Sequence, residues 1–304
     1  DMAMSDTRNI SLTLGPVLFN WPVERWCDFY ARVADEAPVD TVCVGEVVCS
    51  KRQPFFSDVL PDVIERLERG GKTVILSSLA LPTLQRELRY GETLAEASQM
   101  VEANDISILP HLLDRPHAIG PLINVYNEAA ARFLVDRGAR RIALPPELPT
   151  ASIAAIAAAV PQAVVEVWGF GRVPLAISAR CYHARLHGRT KDSCQFVCEK
   201  DLDGLSVDTL DGENFLAING VQTLSQSYCN LIIDVPLLAE HGVDALRLSP
   251  HTCDMVAVSK TFRDTLDGAR EPAHAMRILR SLAPEAVFSN GFVHATNGAL
   301  YVIG

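Results

Sequence analysis

The residues best placed to do chemistry lie between Ser178 and Cys198, in the stretch SARCYHARLHGRTKDSCQFVC. Cys181, Cys194 and Cys198 are separated there by twelve and then three residues, among Arg, Lys and His and with no long apolar run. Thiols that serve only as small hydrophobes scatter through apolar helices and strands. A segment too polar to form its own core needs another source of order, and several thiolates meeting at one metal centre supply it. Three ligands leave a tetrahedral site one short, and the candidate for the fourth is Cys49, which ends the strand-like run TVCVGEVVC at 41–49. Four thiolates suit either zinc or an iron–sulfur cluster. Structural zinc sites usually come as two short paired knuckles, so a spacing this irregular favours the cluster.

The other cysteines read differently. Cys27 and Cys43 lie in amphipathic or apolar segments and are expected in the core. Cys229 precedes an expected strand, and Cys253 starts an expected helix, where a lowered pKa would make it reactive; a buried, inert thiol is the better reading. His183 and His187 are four apart, as metal-binding histidines on one helix face are, but the arginines around them predict a solvated face. Arg180, Lys191 and Lys200 offer positive charge beside a thiolate cluster, or ordinary surface ion pairs.

Such residues need a frame. The chain has 304 residues, 48% of them hydrophobic, enough for a large core and for one α/β barrel. A formal net charge of −10 argues against nucleic acid as the main partner. No run of 18 apolar residues appears, so an integral membrane protein is not expected. The opening DMAMSDTRN lacks the pattern of a signal peptide, which points to the cytoplasm, where eight cysteines speak for metal binding or core filling and not for disulfides. Residues 1–10 are expected to be a flexible extension and 11–304 a single barrel-like domain.

Apolar runs predict strands at 10–17, 41–48, 73–78, 106–109, 142–144, 164–168, 215–218, 231–234 and 245–248. Helices are expected from Pro22, with Val23, Trp26, Cys27, Tyr30 and Val33 on one face, and after Ser57 or Asp58 up to a stop at Gly70-Gly71. Others are expected from Pro82 to about Ala103, broken near Gly91, and at 128–137, 151–160, 254–265 and 271–282. This alternation predicts a (β/α)8 TIM-barrel-like fold with an inserted cysteine-bearing loop. Function in such barrels gathers on the loops after the strands. Cys49 and the 178–198 loop are expected on that rim, with Glu46, Asn124, Asn219, Gln222 and Arg247 as candidate catalytic groups and Ser249 as a further polar group beside them. Each also has a plainer role: Glu46 as a solvated strand residue, Asn219-Gly220 as a turn. Asn127 reads as a helix cap.

Longer motifs add a resemblance. LGPVLFNWP at 14–22, GEVVCSKR at 45–52, LSSLAL at 76–81, NVYN at 124–127, PLAISARCYHAR at 174–185, KDSC at 191–194, NGVQTLS at 219–225 and LRLSP at 246–250 span most of the chain. Through them it resembles the ubiquinone-biosynthesis accessory proteins of the collagenase-like U-type peptidase superfamily. The four cysteines with their flanking SKR, SARC and KD residues are the specific part; NVYN and NGVQ are shared more widely. The C-terminal SNGFVHATNGALYVIG and the residues before Ser11 depart from that pattern.

The resemblance implies a 4Fe-4S cluster on Cys49, Cys181, Cys194 and Cys198, a barrel-like fold, and a heterodimer with the paralogue UbiU. It further implies a part in the oxygen-independent, anaerobic hydroxylation of the ubiquinone precursor ring, with prephenate as oxygen donor and the lipid-carrier protein UbiT assisting. A cluster with four cysteine ligands keeps no open protein position, so an electron-transfer or structural role is expected. Peptidase activity is not: the sequence has no G-x-S-x-G, no H-E-x-x-H and no convincing Cys–His pair. The alternative is a non-catalytic scaffold whose metal only folds the 178–198 loop.

Overall fold

Aliphatic and β-branched residues buried on both faces make strands, and in this computed structural model, which describes residues 9–303, seven such runs follow one another in parallel. They are β1 (Ser11–Leu14), β2 (Thr41–Val44), β3 (Thr73–Ser77), β4 (Met100–Ala103), β5 (His117–Ile119), β6 (Ala139–Ala143) and β7 (Val164–Ile177). After β8 (Leu205–Asp208), β9 (Asn214–Asn219) and β10 (Gln222–Asn230), strand β11 (Ala245–Leu248) pairs parallel with both β7 and β1. The eight parallel strands close into a TIM-barrel-like α/β fold. Residues 1–8 of the expected extension lie outside the described residues.

Helices wrap the barrel. They are α1 (Val23–Glu36), α2 (Leu60–Arg69), α3 (Gln85–Ala95), α4 (Glu128–Val135), α5 (Thr150–Ala159), the short α6 (Tyr182–Leu186) and α7 (Val235–Glu240), then α8 (Met255–Leu266) and α9 (Pro272–Leu282). Helix α1 buries Trp26, Tyr30 and Val33 at helical spacing, as expected, and leaves Cys27 half-buried. The stop after α2 has a packing reason: a Cβ on Gly70 would meet the Ala34 carbonyl oxygen of α1 at 2.5 Å. Asn127 caps α4, its Oδ1 accepting from the Ala130 amide at 2.9 Å. Among the described residues no helix is long and apolar enough to cross a membrane.

Several expectations are corrected. Ile106–Leu109 is part of a 3-10 turn, not a strand, because Asp105 Oδ1 caps the Ser107 amide and Pro110 has no N–H for a ladder. The fourth strand is instead Met100–Ala103, inside the region read as helix, and the fifth is only three residues long, too short to show any alternation. Residues 232–234 also form a 3-10 turn, since Asn230 Oδ1 takes the Ile232 amide; β10 runs up to Asn230, so Cys229 lies within a strand. The first two strands end earlier than read, at Leu14 and Val44.

Strand β7 does more than close the barrel. Its second half continues past the rim and pairs antiparallel with β10, which pairs with β9 and then β8. The cysteine-bearing segment is the connection from the end of β7 to β8 and lies against this extension. Inside the barrel, where branched apolar side chains usually fill the layers, a buried charge network stands instead. Arg247 of β11 bonds Glu102 of β4 and, through Nε at 2.5 Å, Glu166 of β7; Arg141 of β6 joins Glu166 at 2.6 Å. Thr13 and Ser77 donate to the same two carboxylates at 2.6 and 3.0 Å.

Candidate functional site

Cys49 follows β2, and its segment turns sharply through the 3-10 helix Ser50–Phe55. Glu46 shapes that turn: its Oε1 accepts the amides of Val48 and Cys49 at 2.9 and 2.8 Å. Burial pushes the Glu46 carboxyl up, while Arg52 and the two amides pull it back. The residue expected as a solvated strand end or a catalytic acid is therefore a buried brace for Cys49.

The other three cysteines arrive on the long connection. Cys181 stands at the N-terminus of α6, with its Sγ accepting from the Ala184 amide at 3.4 Å. Between Cys194 and Cys198 the chain turns through Gln195 and Phe196, both left-handed at φ +47° and +52°, a costly pair for residues with a Cβ. Phe196 is held edge-on to Phe55 at 4.7 Å between ring centres, which ties this turn to the Cys49 segment.

N–H groups point at all four sulfurs. The Lys51 amide faces Cys49, Lys51 Nζ lies 3.7 Å from Cys194 Sγ, the Phe196 amide 3.5 Å from the same sulfur, and Asn20 Nδ2 3.5 Å from Cys198 Sγ. Arg52, only 1% exposed, stands among them beside Cys49, Cys181 and Cys198. Its Nη1 donates to the Leu18 carbonyl at 2.9 Å, its Nη2 to Asn219 Oδ1 at 3.0 Å, and Glu46 pairs with it at 3.8 Å. Gly220 makes room for it, since a Cβ there would meet Arg52 Nη2 at 2.8 Å. Burial raises the Cys49 and Cys181 thiols, and Arg52 works in the opposite direction on both.

The remaining thiols behave otherwise. Cys229 donates to the Trp168 carbonyl, and Cys43 sits in the barrel interior against Glu102 and Arg247. Cys253 is pushed up to about 12 by burial, with Asp203 adding to it. All eight cysteines are free thiols. The solvated face expected for the two histidines holds for His187 only, since His183 is buried between Asp201 Oδ2 at 2.8 Å and the Gly220 amide, while His187 bonds the His183 carbonyl.

Among the described residues no three Cys, His, Asp or Glu side chains stand close enough to share one metal ion. A cluster is a different demand, because its ligands bind separate corners and spread wider than those of a single ion. Four free thiols, each accepting an N–H, with the buried Arg52 guanidinium beside Cys49, Cys181 and Cys198 and the Lys51 ammonium beside Cys194, fit such a group in donor type and charge.

The structure gathers most of the rim candidates and leaves Asn124 apart: Gln222, Arg247 and Ser249 line one small cavity, and Asn219 Nδ2 donates to Gln222 Oε1 at 3.2 Å. Glu46 and Asn219 belong to the cysteine corner, and Arg247 points into the barrel, where two carboxylates occupy it. The small cavity, at the barrel mouth, measures about 10 Å³, room for one water. Asn124, left-handed and exposed, lines a separate cleft of about 290 Å³. Arg180 and Lys200 are exposed, and Lys191 offers its carbonyl to Lys51. Lys51 and Arg52 belong to the SKR that follows Cys49 in the motif and Asn20 to LGPVLFNWP, but nothing in the sequence assigns any of the three a role at the sulfurs.

Comparison with known proteins gives one family. Residues 29–301 match Peptidase family U32. Among solved structures, the chain is similar to the U32 peptidase Mk0906 at 12% identity, covering 80% of this chain and 93% of that one, TM-score 0.30. It is also similar to thiamine phosphate pyrophosphorylase from Pyrococcus furiosus (10% identity, 91% and 98% covered, TM-score 0.41). Dihydropteroate synthase from Xanthomonas albilineans is a third (16%, 92% and 94%, TM-score 0.38). Likeness at this level says nothing of activity, and the barrel rests on its own strand pairing.

Proposed function

This chain belongs to peptidase family U32, and within that family we propose that it is an iron–sulfur subunit of the UbiV type, with Cys49, Cys181, Cys194 and Cys198 holding a 4Fe-4S cluster. In this reading it works in the cytoplasm with the paralogue UbiU and the lipid carrier UbiT. Together they hydroxylate a ubiquinone precursor ring without oxygen, taking the oxygen atom from prephenate.

The observation that supports the reading most is the polarity at the sulfurs. All four accept from N–H groups, and Arg52 and Lys51 are turned toward them. Donors so arranged favour sulfur that carries negative charge. When bound, such a cluster supplies one-electron chemistry or a fixed conformation for the 178–198 connection. The chain's own residues do the rest. Glu46 fixes the Cys49 backbone, Asn20 orients Cys198, and Arg52 offsets thiolate charge while tying the site to Leu18 and Asn219.

The test is iron, sulfide and zinc content with an absorption spectrum, on protein purified without oxygen. About four irons and four sulfides per chain, with a visible band that bleaches on reduction, are expected. Each of Cys49→Ser, Cys181→Ser, Cys194→Ser and Cys198→Ser should lower both contents and anaerobic ubiquinone formation. One zinc without sulfide would make the four cysteines a structural clamp, and unimpaired ubiquinone formation by the variants would sink the proposal.

A further inference from the structure

A second cavity adjoins the cysteine corner on the far side of Glu46. It encloses about 250 Å³ and is walled by Phe19, Trp26, Phe56 and Tyr90, with Leu60 at one side. Polar groups break the apolar lining at Ser57, whose hydroxyl already donates to the Pro54 carbonyl at 3.3 Å, and at Gln53 and Glu46. Gln53 lines the cavity, and its Nε2 is buried without a hydrogen-bond partner. Glu46 also lines it, and the bonds from Val48, Cys49 and Arg52 all fall on Oε1, none of them on the second carboxylate oxygen. Buried amide donors are ordinarily satisfied, so an orphan one in a cavity wall marks a place where something else accepts its proton.

We propose that this cavity binds a small, neutral, planar aromatic molecule, one ring in size, whose polar edge accepts from Gln53 Nε2 and donates to Glu46. Size fixes the first part of the description: a cavity of roughly 150 Å³ takes benzene, so this one admits a single ring with a substituent. The walls fix the second, since four aromatic side chains offer edges and faces to a flat ring better than to a puckered one. Charge fixes the third. An anionic ligand would meet the Glu46 carboxylate in a water-poor site, whereas a carboxamide or lactam presents the donor and the acceptor that Glu46 and Gln53 require. The site stands on this lining alone and is independent of any metal at the neighbouring cysteines.

Benzamide is the probe, titrated by ligand-observed NMR against the chain purified without oxygen. Saturable binding with a Kd in the range of about 0.1–10 mM is expected for a ligand this small. Benzoate, which brings a negative charge, and cyclohexanecarboxamide, which lacks the flat ring, should each bind at least about fivefold more weakly. Gln53→Leu should weaken benzamide roughly tenfold by removing the donor. Leu60→Trp, at the partly exposed start of α2, should abolish binding by filling the space, with the circular dichroism spectrum unchanged. Absence of saturable binding, meaning a water-filled cavity, overturns the proposal. So does binding that survives Leu60→Trp, which puts the ligand elsewhere, or binding indifferent to Gln53→Leu or to the charge on benzoate. Should Gln53→Leu fail to fold, the benzoate comparison and Leu60→Trp decide the matter on the unaltered amide.

Discussion

Among the described residues two arginines are buried, and their surroundings are opposites. Arg247 lies in the barrel with Glu102 and Glu166 bound to it and Arg141 completing the set, two positive charges against two negative. Arg52 lies at the cysteine corner with one carboxylate at 3.8 Å, neutral oxygens on its Nη atoms, thiols around it and its Nε without a partner. The first group is complete in itself. The second keeps positive charge facing sulfur, an arrangement that makes sense when those sulfurs are negative. Buried charge in one fold can therefore hold a structure together in one place and prepare a site in another, and what tells them apart is whether the partners are already present.

The largest expected effect tests the closed group. Arg247→Met strands the buried Glu102 carboxylate and leaves Glu166 with Arg141 alone, and a loss of about 3–5 kcal/mol in urea unfolding is expected, with the iron content of the folded fraction unchanged. A variant as stable as the parent would break the comparison from the barrel side.

Acid titration sharpens the same side. Burial alone would raise the Glu166 carboxyl, but Arg247 and Arg141 outweigh it and hold it at about 2, against 4.5 in the unfolded chain. A carboxylate depressed on folding stabilises above its unfolded pKa. Its contribution, roughly 3 kcal/mol, is therefore lost as pH falls from about 4.5 to about 2. Glu166→Gln should flatten the stability curve within that window, and a curve of unchanged slope would contradict the assignment.

At the corner the effects on stability are smaller and those on metal larger. Arg52→Lys keeps the charge but gives up the forked contact to Leu18 and Asn219, so a loss of about 1–3 kcal/mol is expected, together with reduced iron retention after brief exposure to air. Iron held as firmly as in the parent would show that the guanidinium does not serve the sulfurs. The smallest effect belongs to Cys27→Ala, a half-buried thiol of α1 packed against the core: about 1 kcal/mol or less, with iron and sulfide content unaltered. A lowered iron content there would mean that the four cysteines are not a distinct set.

Much of this was legible beforehand. The helices on either side of the barrel showed themselves because one face in each is apolar at a spacing of three and four residues, as Trp26, Tyr30 and Val33 show in α1. Cys49 and the 178–198 segment were picked out because cysteines in polar surroundings lack a packing explanation. The short strands were the weak point. Met100–Ala103 and His117–Ile119 carry too few residues for a period, and Ile106–Leu109 looked like a strand until Asp105 and Pro110 set a turn. Glu46 finds its partners within six residues, at Val48, Cys49 and Arg52, but the roles of Asn219 and Arg247 depend on partners far along the chain: Asn219 meets Arg52 and Arg247 meets Glu102.

The sequence by itself determined which segments are strands and helices over most of the chain, that they alternate, and which four cysteines stand apart from the rest. These are local properties, set by side-chain period, turn residues and the company a thiol keeps. Only the tertiary structure decided that Arg247 is locked between two carboxylates inside the barrel while Arg52 faces sulfur. Closing the barrel brings residues more than a hundred positions apart within hydrogen-bonding distance, and whether a buried charge is satisfied depends on those distant partners and not on its neighbours in the chain.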